Sequence, residues 1–365
     1  MFILYDTPRL SLSTSEQKLK LTKLKTIILT TIGVLSVLVL GIYAWANASI
    51  HVDIDKPDPA IAVANELARD NILYQEGYVG EVGTRIHYVS AGEGQPIIFA
   101  HGFPSYWFTM FMLMEEFKTE YRVIAFDGLG TGRSDAPSSV EAYKLKDLTQ
   151  SIELLMTELD IEQAHLVGHD WGVTLVTGYA RANPSRVKSV TTMAALPHNI
   201  VVSRAAHDPE HRALFSYTEY FARANPILIL ALGVKDRVWE TSYADLEARK
   251  LISGVYADQL KQDIGNPRRL DRFIHWYRAN MLQFDDLTEA DFWPDRSVRL
   301  EVPTILIYGD DDIVLTDALV QDFKAHTDSL DVIKLEGVGH RPHFEEPEVV
   351  VAAIRDHINR NSTPN

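Results

Sequence analysis

Short and almost uninterrupted apolar runs recur along the chain from residue 96 onward, and stretches of helical period separate them. Runs of this length without polar alternation are typical of strands that are buried on both faces. Alternating strands and helices predict the α/β class, with a mostly parallel sheet covered by helices on both faces. The runs lie at Pro96–Gly102, Tyr121–Asp127, Ala164–Asp170, Val187–Leu196, Val302–Asp310 and Asp331–Gly339.

Neighbouring segments complete this α/β core. Glycines punctuate residues 77–94 between short strand-like segments, which predicts a β-hairpin before the first buried strand. Helical periodicity is clearest at Tyr143–Leu159 and Gly172–Ala182, and a last helix is predicted from about Glu346. The predicted core occupies residues 76–197 and 297–365.

Residues 198–296 interrupt the alternation of strands and helices. They carry helical patterns, broken by Asn-Pro and Trp-Pro pairs, and no clear buried strand. An insertion at this place would lie over the carboxyl ends of the strands, where open α/β sheets bind ligands. We therefore predict a helical cap, or lid.

The N-terminal region has its own pattern. A basic segment, residues 1–25, precedes about 20 mostly apolar residues without a charge, close to the length that crosses a bilayer. Flanking lysines stay cytoplasmic, so the chain after residue 46 is predicted to lie outside the cytoplasm, in the periplasm of a bacterium. The prediction is a transmembrane anchor or signal segment at residues 26–46 and a linker at 47–75.

Two alternatives to an uncleaved anchor stay open. Residues 46–48, Ala-Asn-Ala, have the small-x-small form of a signal-peptidase site, so cleavage near Ala48 would release the rest into the periplasm. A buried core helix is equally apolar, but a terminal segment that is first basic and then apolar disfavours it. The length of the apolar run favours the anchor.

Composition excludes several kinds of partner and site. The formal charge is −15, so the chain has no basic surplus with which to bind the phosphates of a nucleic acid. The absence of Cys excludes disulfides, thiolate metal sites and a cysteine nucleophile. The sequence makes no prediction about the oligomeric state.

Residues 168–172, Gly-His-Asp-Trp-Gly, join the third buried run to a helix. Small residues two positions before and after a central residue are the pattern of a nucleophile elbow, because larger neighbours would clash in so sharp a turn. Asp170 would then be the nucleophile. The alternative is a carboxylate that merely caps the following helix.

Three further motifs follow other predicted strands. The first, HGFP at residues 101–104, would provide an oxyanion hole from the backbone N–H groups of Phe103 and Trp171. A carboxylate is available from YGDDD at residues 308–312, and a histidine from GVGHRPHF at residues 337–344. The chain order of nucleophile, acid and histidine is that of α/β-hydrolases.

An aspartate at the elbow changes the chemistry that a serine would perform. A carboxylate that attacks a saturated carbon forms an alkyl ester, and water activated by a histidine can cleave the carbonyl of that ester. A serine would form an ether, which could not be hydrolysed. The elbow therefore predicts substitution at an sp³ carbon, as in epoxides and alkyl halides.

With these motifs the chain resembles the epoxide hydrolases of the α/β-hydrolase superfamily over residues 76–360. In that family Gly-x-x-Asp and Gly-His…Pro spacings mark the acid and the base, which implies Asp312 and His340. His343 would then be structural. Phe103 stands where many haloalkane dehalogenases have Asn, so this position favours the epoxide hydrolases.

The family also carries two cap tyrosines that protonate the opening ring. The segment SYTEYFARANP, residues 216–226, resembles the first tyrosine motif and implies Tyr217, with Tyr220 as the alternative. The segment HWYRANM, residues 275–281, resembles the second and implies Tyr277, although His275 replaces the usual Asn. The resemblance implies a small lipophilic epoxide as substrate, a vicinal diol as product, and neither cofactor nor metal.

Two other functions stay possible at this point. A haloalkane dehalogenase would use Asp170 and His340 in the same way, with N–H donors for the departing halide. An anchored, non-catalytic hydrolase-like protein would have the fold without turnover.

Other residues near these motifs are predicted to line the pocket or to be structural. The aromatic run Tyr106–Met114 is predicted to belong to the core of the first helix, with Trp107 and Phe108 placed at the mouth of the pocket. His101 is predicted to order the oxyanion loop beside it. The H-x-x-E-H pattern of residues 207–211 is interrupted by Pro209, which disfavours the helix that a zinc site would need. The Gly-rich segment 127–135 lacks the spacing of a nucleotide-binding loop and is predicted to be a structural turn.

Overall fold

The computed structural model describes residues 14–225, 229, 234–264, 266–281, 284 and 287–362. Residues 1–13 of the predicted basic segment and the last three residues lie outside these ranges. The chain forms two compact units, one ending at Asn47 and the other beginning at Ala48.

The second unit is built on a sheet of eight strands in the order β1-β2-β4-β3-β5-β6-β7-β8. β2 pairs antiparallel with β1 and β4, and the remaining neighbours pair in parallel. The strands are Gln75–Val79, Ile86–Ala91, Pro96–Ala100, Arg122–Phe126, Ala164–His169, Val187–Met193, Thr304–Gly309 and Leu330–Leu335. The predicted hairpin is β1–β2, and the predicted parallel strands are β3 to β8.

Burial explains why the inner strands are apolar throughout. Every residue of β5 and β7 is buried, because two hydrophobic cores lie on the opposite faces of the sheet. The parallel strands end at one edge, so the turns that follow β3, β5, β7 and β8 meet there.

Helices cover both faces and form the segment between β6 and β7. In chain order from α1, the described helices are Thr14–Asn47, Pro59–Leu67, Phe111–Phe117, Leu145–Glu158, Trp171–Ala182, His198–His207, Pro209–Leu214, Ser216–Arg223, Val234–Ser242, Ala244–Ala248, Gly254–Ile264, Pro267–Asn280, Asp317–Ala325, Pro342–Glu345 and Pro347–Asn361. The helices of the layers that cover the sheet are α2 to α5, α13 and α15, and the short α14 precedes α15.

The described residues of the predicted cap form α6 to α12 and a short 3₁₀ turn, with no strand among them. Proline begins α7 and α12, where its missing N–H has no partner to lose. The predicted linker contains α2, whose Ala60 and Ala64 are fully buried in the core. This part of the linker is therefore packed rather than extended.

The first unit is a single long helix, α1. Its segment Gln17–Asn47 has a mean hydropathy of 2.4, so it is long and apolar enough to cross a membrane. A signal sequence or a core helix has a similar length and composition.

Candidate active site

Asp170 occupies the turn between β5 and α5 in a backbone conformation that L-residues rarely adopt, with φ 53° and ψ −120°. Its flanking glycines are required sterically. A Cβ on Gly172 would lie 2.0 Å from the Ala100 carbonyl oxygen, and one on Gly168 would lie 2.6 Å from the backbone of Gly172. The turn is thus held sharp by close backbone contacts on both sides, as a nucleophile elbow requires.

The carboxylate of Asp170 does not cap the helix that follows it, because its side chain accepts no hydrogen bond from the first turn of α5. Its Oδ1 instead accepts a hydrogen bond of 2.6 Å from the backbone N–H of Phe103. Its Oδ2 lies 3.4 Å from Nε2 of His340. The carboxylate therefore lies between the HGFP loop and the histidine.

The histidine is oriented by one of the three neighbouring aspartates. Nδ1 of His340 donates a hydrogen bond of 2.7 Å to Oδ2 of Asp312, which is buried. Asp310 instead accepts a hydrogen bond from the backbone N–H of Gly337, and Asp311 is exposed. Of the three aspartates, Asp312 is therefore the one that contacts His340.

A second histidine, His169, holds the backbone of His340. Nε2 of His169 donates a hydrogen bond of 2.8 Å to the carbonyl of His340. Burial and the nearby charge of His340 together lower the pKa of His169 to about 3, so the ring is neutral. His343 packs against His169 with ring centroids 4.6 Å apart and is fully buried, as expected of a structural residue.

The two charges of the site stabilise each other. Burial alone would raise the pKa of Asp170, but the hydrogen bond and charge of His340 lower it to about 2. Burial alone would lower the pKa of His340, yet its contacts with Asp170 and Asp312 raise it to about 9. At neutral pH the resting site holds an ionised Asp170 next to a protonated His340.

Two cavities meet at these groups. An inner cavity of about 70 Å³ and an outer cavity of about 970 Å³ share Asp170, His340, Tyr217 and Tyr277. The wall of the inner cavity is mainly apolar. Its residues could not be predicted from sequence patterns, because they come from separate elements of the fold. They include Leu196, Val201, Phe215, Met281 and Leu315.

The two tyrosines come from α8 and α12. Tyr277 is buried, and its ring packs edge-on against Trp171 and Phe103 at 5.0 and 5.2 Å. Burial and the charge of Asp170 raise the pKa of both tyrosines, which keeps their hydroxyls protonated. Tyr217 lines both cavities and is 40% exposed, whereas Tyr220 lines only the outer cavity and is 72% exposed, so Tyr217 is the better placed of the two to act with Tyr277.

The structure corrects the pocket assignment of three residues. Trp107 and Phe108 are fully buried and line neither cavity, because Trp107 donates to Asp58 at 2.7 Å and Phe108 packs on Tyr256. His101 also lines neither cavity. It donates to the Gly102 carbonyl and accepts from the backbone N–H of Gly128, which ties the HGFP loop to the Gly-rich turn after β4.

One group of side chains has the composition of a metal site. Ligand atoms of Asp58, Glu76 and His87 lie within 4.8 Å of one another. Both nitrogens of His87 are already engaged, with Asp127 at 2.8 Å and Glu76 at 2.9 Å, and these contacts, opposing the effect of burial, raise the pKa of His87 to about 9. Both ring nitrogens of His87 therefore already have carboxylate partners within the protein.

In the H-x-x-E-H segment, His207 ends α6, whereas His211 lies on α7. The ring of His211 hydrogen-bonds Asp208 and Thr316. The segment therefore binds together neighbouring elements rather than presenting two free histidines on one helix face.

Comparison with known proteins places the chain. A family model described as the alpha/beta hydrolase fold matches residues 95–347. Epoxide hydrolase 3 of Xenopus tropicalis is 27% identical over 310 residues, which cover 79% of this chain and 78% of that protein. Epoxide hydrolase 4 of Mus musculus is 28% identical over 297 residues, covering 76% and 77%. The crystal structure of the Bacillus megaterium epoxide hydrolase in complex with an inhibitor matches with a TM-score of 0.69 and 19% identity, covering 78% of this chain and 100% of that one. The chain belongs to the α/β hydrolase fold family.

Proposed function

We propose that the protein hydrolyses epoxides to vicinal diols through a covalent ester on Asp170. The observation that carries this proposal is the position of the Asp170 carboxylate, between the Phe103 N–H and His340 and in a cavity that Tyr217 and Tyr277 also line. The curated relatives named epoxide hydrolase support the same reaction.

In the first step, Asp170 attacks a ring carbon and the C–O bond opposite to it breaks. The oxygen that leaves needs a proton, and the protonated hydroxyls of Tyr217 and Tyr277 supply the hydrogen bonds and the proton. The lowered pKa of Asp170 keeps the nucleophile ionised over the physiological range.

In the second step, water attacks the carbonyl carbon of the ester and releases the diol. Once Asp170 is esterified, it no longer carries the negative charge that raises the pKa of His340. The proton that His340 then releases replaces the one that the tyrosines gave to the ring oxygen, and the neutral imidazole, kept oriented by Asp312, accepts a proton from the attacking water. The N–H groups of Phe103 and Trp171 would stabilise the negative charge of the tetrahedral intermediate.

The haloalkane dehalogenase alternative needs two N–H donors for the halide. The second donor would be another tryptophan or an asparagine. Among the described residues that line the two cavities, Trp171 is the only tryptophan, and the one asparagine, Asn225, lines the outer cavity alone. The indole N–H of Trp276 is bound to the Leu129 carbonyl at 2.8 Å. The pair of tyrosines favours an epoxide, whose oxygen must be protonated.

A single turnover in ¹⁸O-labelled water against a panel of lipophilic epoxides tests the proposal. The first diol should contain unlabelled oxygen taken from Asp170, and the label should enter the Asp170 carboxylate, as peptide mass spectrometry would show. Label that enters the first diol directly would refute the ester. Halide release without diol formation would support the dehalogenase, and no turnover of either substrate class would support the non-catalytic protein.

We also propose that α1 anchors the protein in a membrane, with the second unit outside the cytoplasm. The length and hydropathy of α1 and the lysines at its N-terminal end support this topology. Mass spectrometry of the mature chain distinguishes it from cleavage near Ala48, because only a cleaved chain lacks residues 1–48 or nearly so.

A further inference from the structure

The first residue of the second unit is fixed to the helix that carries Tyr277. The carbonyl of Ala48 accepts hydrogen bonds from Arg268 at 2.7 Å and Arg272 at 2.9 Å, both on α12. Two residues later, Ile50 pairs with Ala136 through hydrogen bonds of 3.0 and 3.3 Å. The chain therefore enters this unit at a defined point.

That entry point lies beside the outer cavity. Leu270 and Ile274, which line the outer cavity, alternate along α12 with the two arginines that hold Ala48. Residues on the same turns of one helix lie within about one helix diameter, ~10 Å. A wall of the outer cavity is thus next to the entry point.

The chain length leaves little distance between this point and a membrane. The apolar run ends at Ala46, and Tyr43 and Trp45 near its end are residue types that favour the membrane–water interface. From Ala46 to Ala48 the chain spans at most about 7 Å. If α1 crosses a bilayer, the wall of the outer cavity lies within about 20 Å of the bilayer surface.

The residues around the outer cavity fit such a surface. Tyr220 lines this cavity and is 72% exposed, and Ile313, which lies between the lining residues Asp312 and Val314, is 77% exposed. Arg223 and Arg237 also line the cavity and are exposed. In a chain of net charge −15, these arginines are suited to anionic lipid headgroups, and the apolar side chains to the interface.

We propose that the outer cavity opens at the surface of an anionic bilayer, so that lipophilic epoxides enter the active site from the lipid phase. This inference rests on the proposed anchor and the proposed epoxide hydrolysis. It assigns Tyr220, Ile313, Arg223 and Arg237 to a membrane-contacting rim.

The natural absence of Cys makes the test direct. Full-length variants with one thiol each, Tyr220→Cys and Ile313→Cys, are labelled with an environment-sensitive fluorophore and reconstituted into phosphatidylcholine–phosphatidylglycerol vesicles containing nitroxide headgroup lipids. Glu162→Cys is the matched control, because this exposed residue precedes β5, whose six residues place it about 20 Å from the Asp170 end.

We expect strong quenching and a blue shift at positions 220 and 313 and neither at 162. A second variant carries a flexible Gly-Ser segment of about 20 residues between Asn47 and Ala48, which gives the unit a reach of roughly 25 Å from the bilayer. This variant should stay anchored and fold normally, because Arg268 and Arg272 still bind the Ala48 carbonyl. It should lose most of the quenching at positions 220 and 313.

Equal quenching at all three positions, or none at positions 220 and 313, would overturn the inference, and so would release of the chain from the vesicles. Diol formation from a water-soluble epoxide is measured with the unmodified, Cys-free chain in the same vesicles. Diol without rim quenching refutes the membrane-facing cavity alone, whereas rim quenching without diol refutes the proposed reaction alone.

Discussion

The two sides of the active-site cavity are built on different principles. On the core side, strand ends and close backbone contacts fix Asp170, and a chain of hydrogen bonds fixes His340 and Asp312. On the cap side, aromatic packing places the two tyrosines. Tyr277 packs against Phe103, Trp171 and Phe221, and Tyr217 packs against Phe221 of its own helix. In the proposed reaction, the core side would determine which bonds form, and the cap side would position and protonate the epoxide oxygen.

The cap side has its own internal brace. The guanidinium of Arg278, on α12, donates to the Ala224 carbonyl at the end of α8 at 2.6 Å and to Asp271 at 2.9 Å. Burial and the charge of Arg278 lower the pKa of His275 to about 4, so its neutral ring can accept a hydrogen bond from Arg278. His275, which replaces the family's Asn, thus belongs to the brace between the two tyrosine-bearing helices.

The largest effect is expected on the core side. Asp170→Asn removes the ionised nucleophile, and we expect a loss of about 10⁴-fold or more in kcat. Steady-state diol formation measures this loss. An activity within tenfold of wild type would show that another group attacks the epoxide.

Loss of the base should separate the two chemical steps. His340→Gln leaves ester formation possible but removes the group that activates water, so kcat should fall about 10²–10⁴-fold. Intact-protein mass spectrometry should show one substrate mass added per chain. His343→Gln, outside the cavity, is the control and should not trap an ester.

The tyrosines should affect only ring opening. Tyr217→Phe with Tyr277→Phe should slow alkylation about 10²-fold or more, since general-acid catalysis is lost. Stopped-flow tryptophan fluorescence measures alkylation, while hydrolysis of an ester already formed should be unchanged. Tyr220→Phe is the matched control, and a comparable defect there would exchange the roles of the two α8 tyrosines.

The elbow should also be sensitive in stability. Gly172→Ala would place a Cβ 2.0 Å from the Ala100 carbonyl, so we expect the free energy of unfolding to fall by roughly 1–3 kcal/mol or more. Gly178→Ala in the same helix would place a Cβ 3.3 Å from the Thr149 side chain and 3.6 Å from the Trp293 ring, with no backbone atom as close, and should change stability little. Urea denaturation compares the two variants. Equal stabilities would contradict a sterically closed elbow.

The smallest effect is a shift in titration. The pKa of His340, about 9 in the wild type, should move toward the ordinary value of 6.5 in Asp170→Asn, and NMR of labelled histidine measures it. Because the pKa of His340 is higher in the folded than in the unfolded chain, its protonation stabilises the folded state. This contribution to the free energy of unfolding is complete below pH 6.5 and is lost as the pH rises through 9. An unchanged pKa would mean that Asp312 alone maintains the charge.

Much of the core could be predicted from the sequence, and the α/β-hydrolase fold is confirmed. Buried strands appear as continuous apolar runs, and a glycine-flanked aspartate between a strand and a helix has few structural explanations. The three consecutive aspartates could be separated because only one has the required spacing to Gly309, and only Asp312 contacts His340. The catalytic roles of these residues stay predictions.

Contacts between segments that lie far apart in the chain could not be predicted from the sequence. The aromatic run around Trp107 could as well have lined a pocket, and its burial depends on Asp58, in a segment predicted to be a linker. The arginines that hold Ala48 have no local signature either, because their partner lies more than 200 positions away. Such residues are recognisable only when the fold brings them together.

The unequal volumes on the two sides of Asp170 have a stereochemical consequence. An epoxide with one short and one long substituent would place the short one in the inner cavity and the long one in the outer cavity. Only one of its two enantiomers would then present the ring carbon correctly to the Asp170 carboxylate. We therefore expect one enantiomer of a racemic epoxide to be hydrolysed faster, so that the remaining substrate becomes enriched in the other.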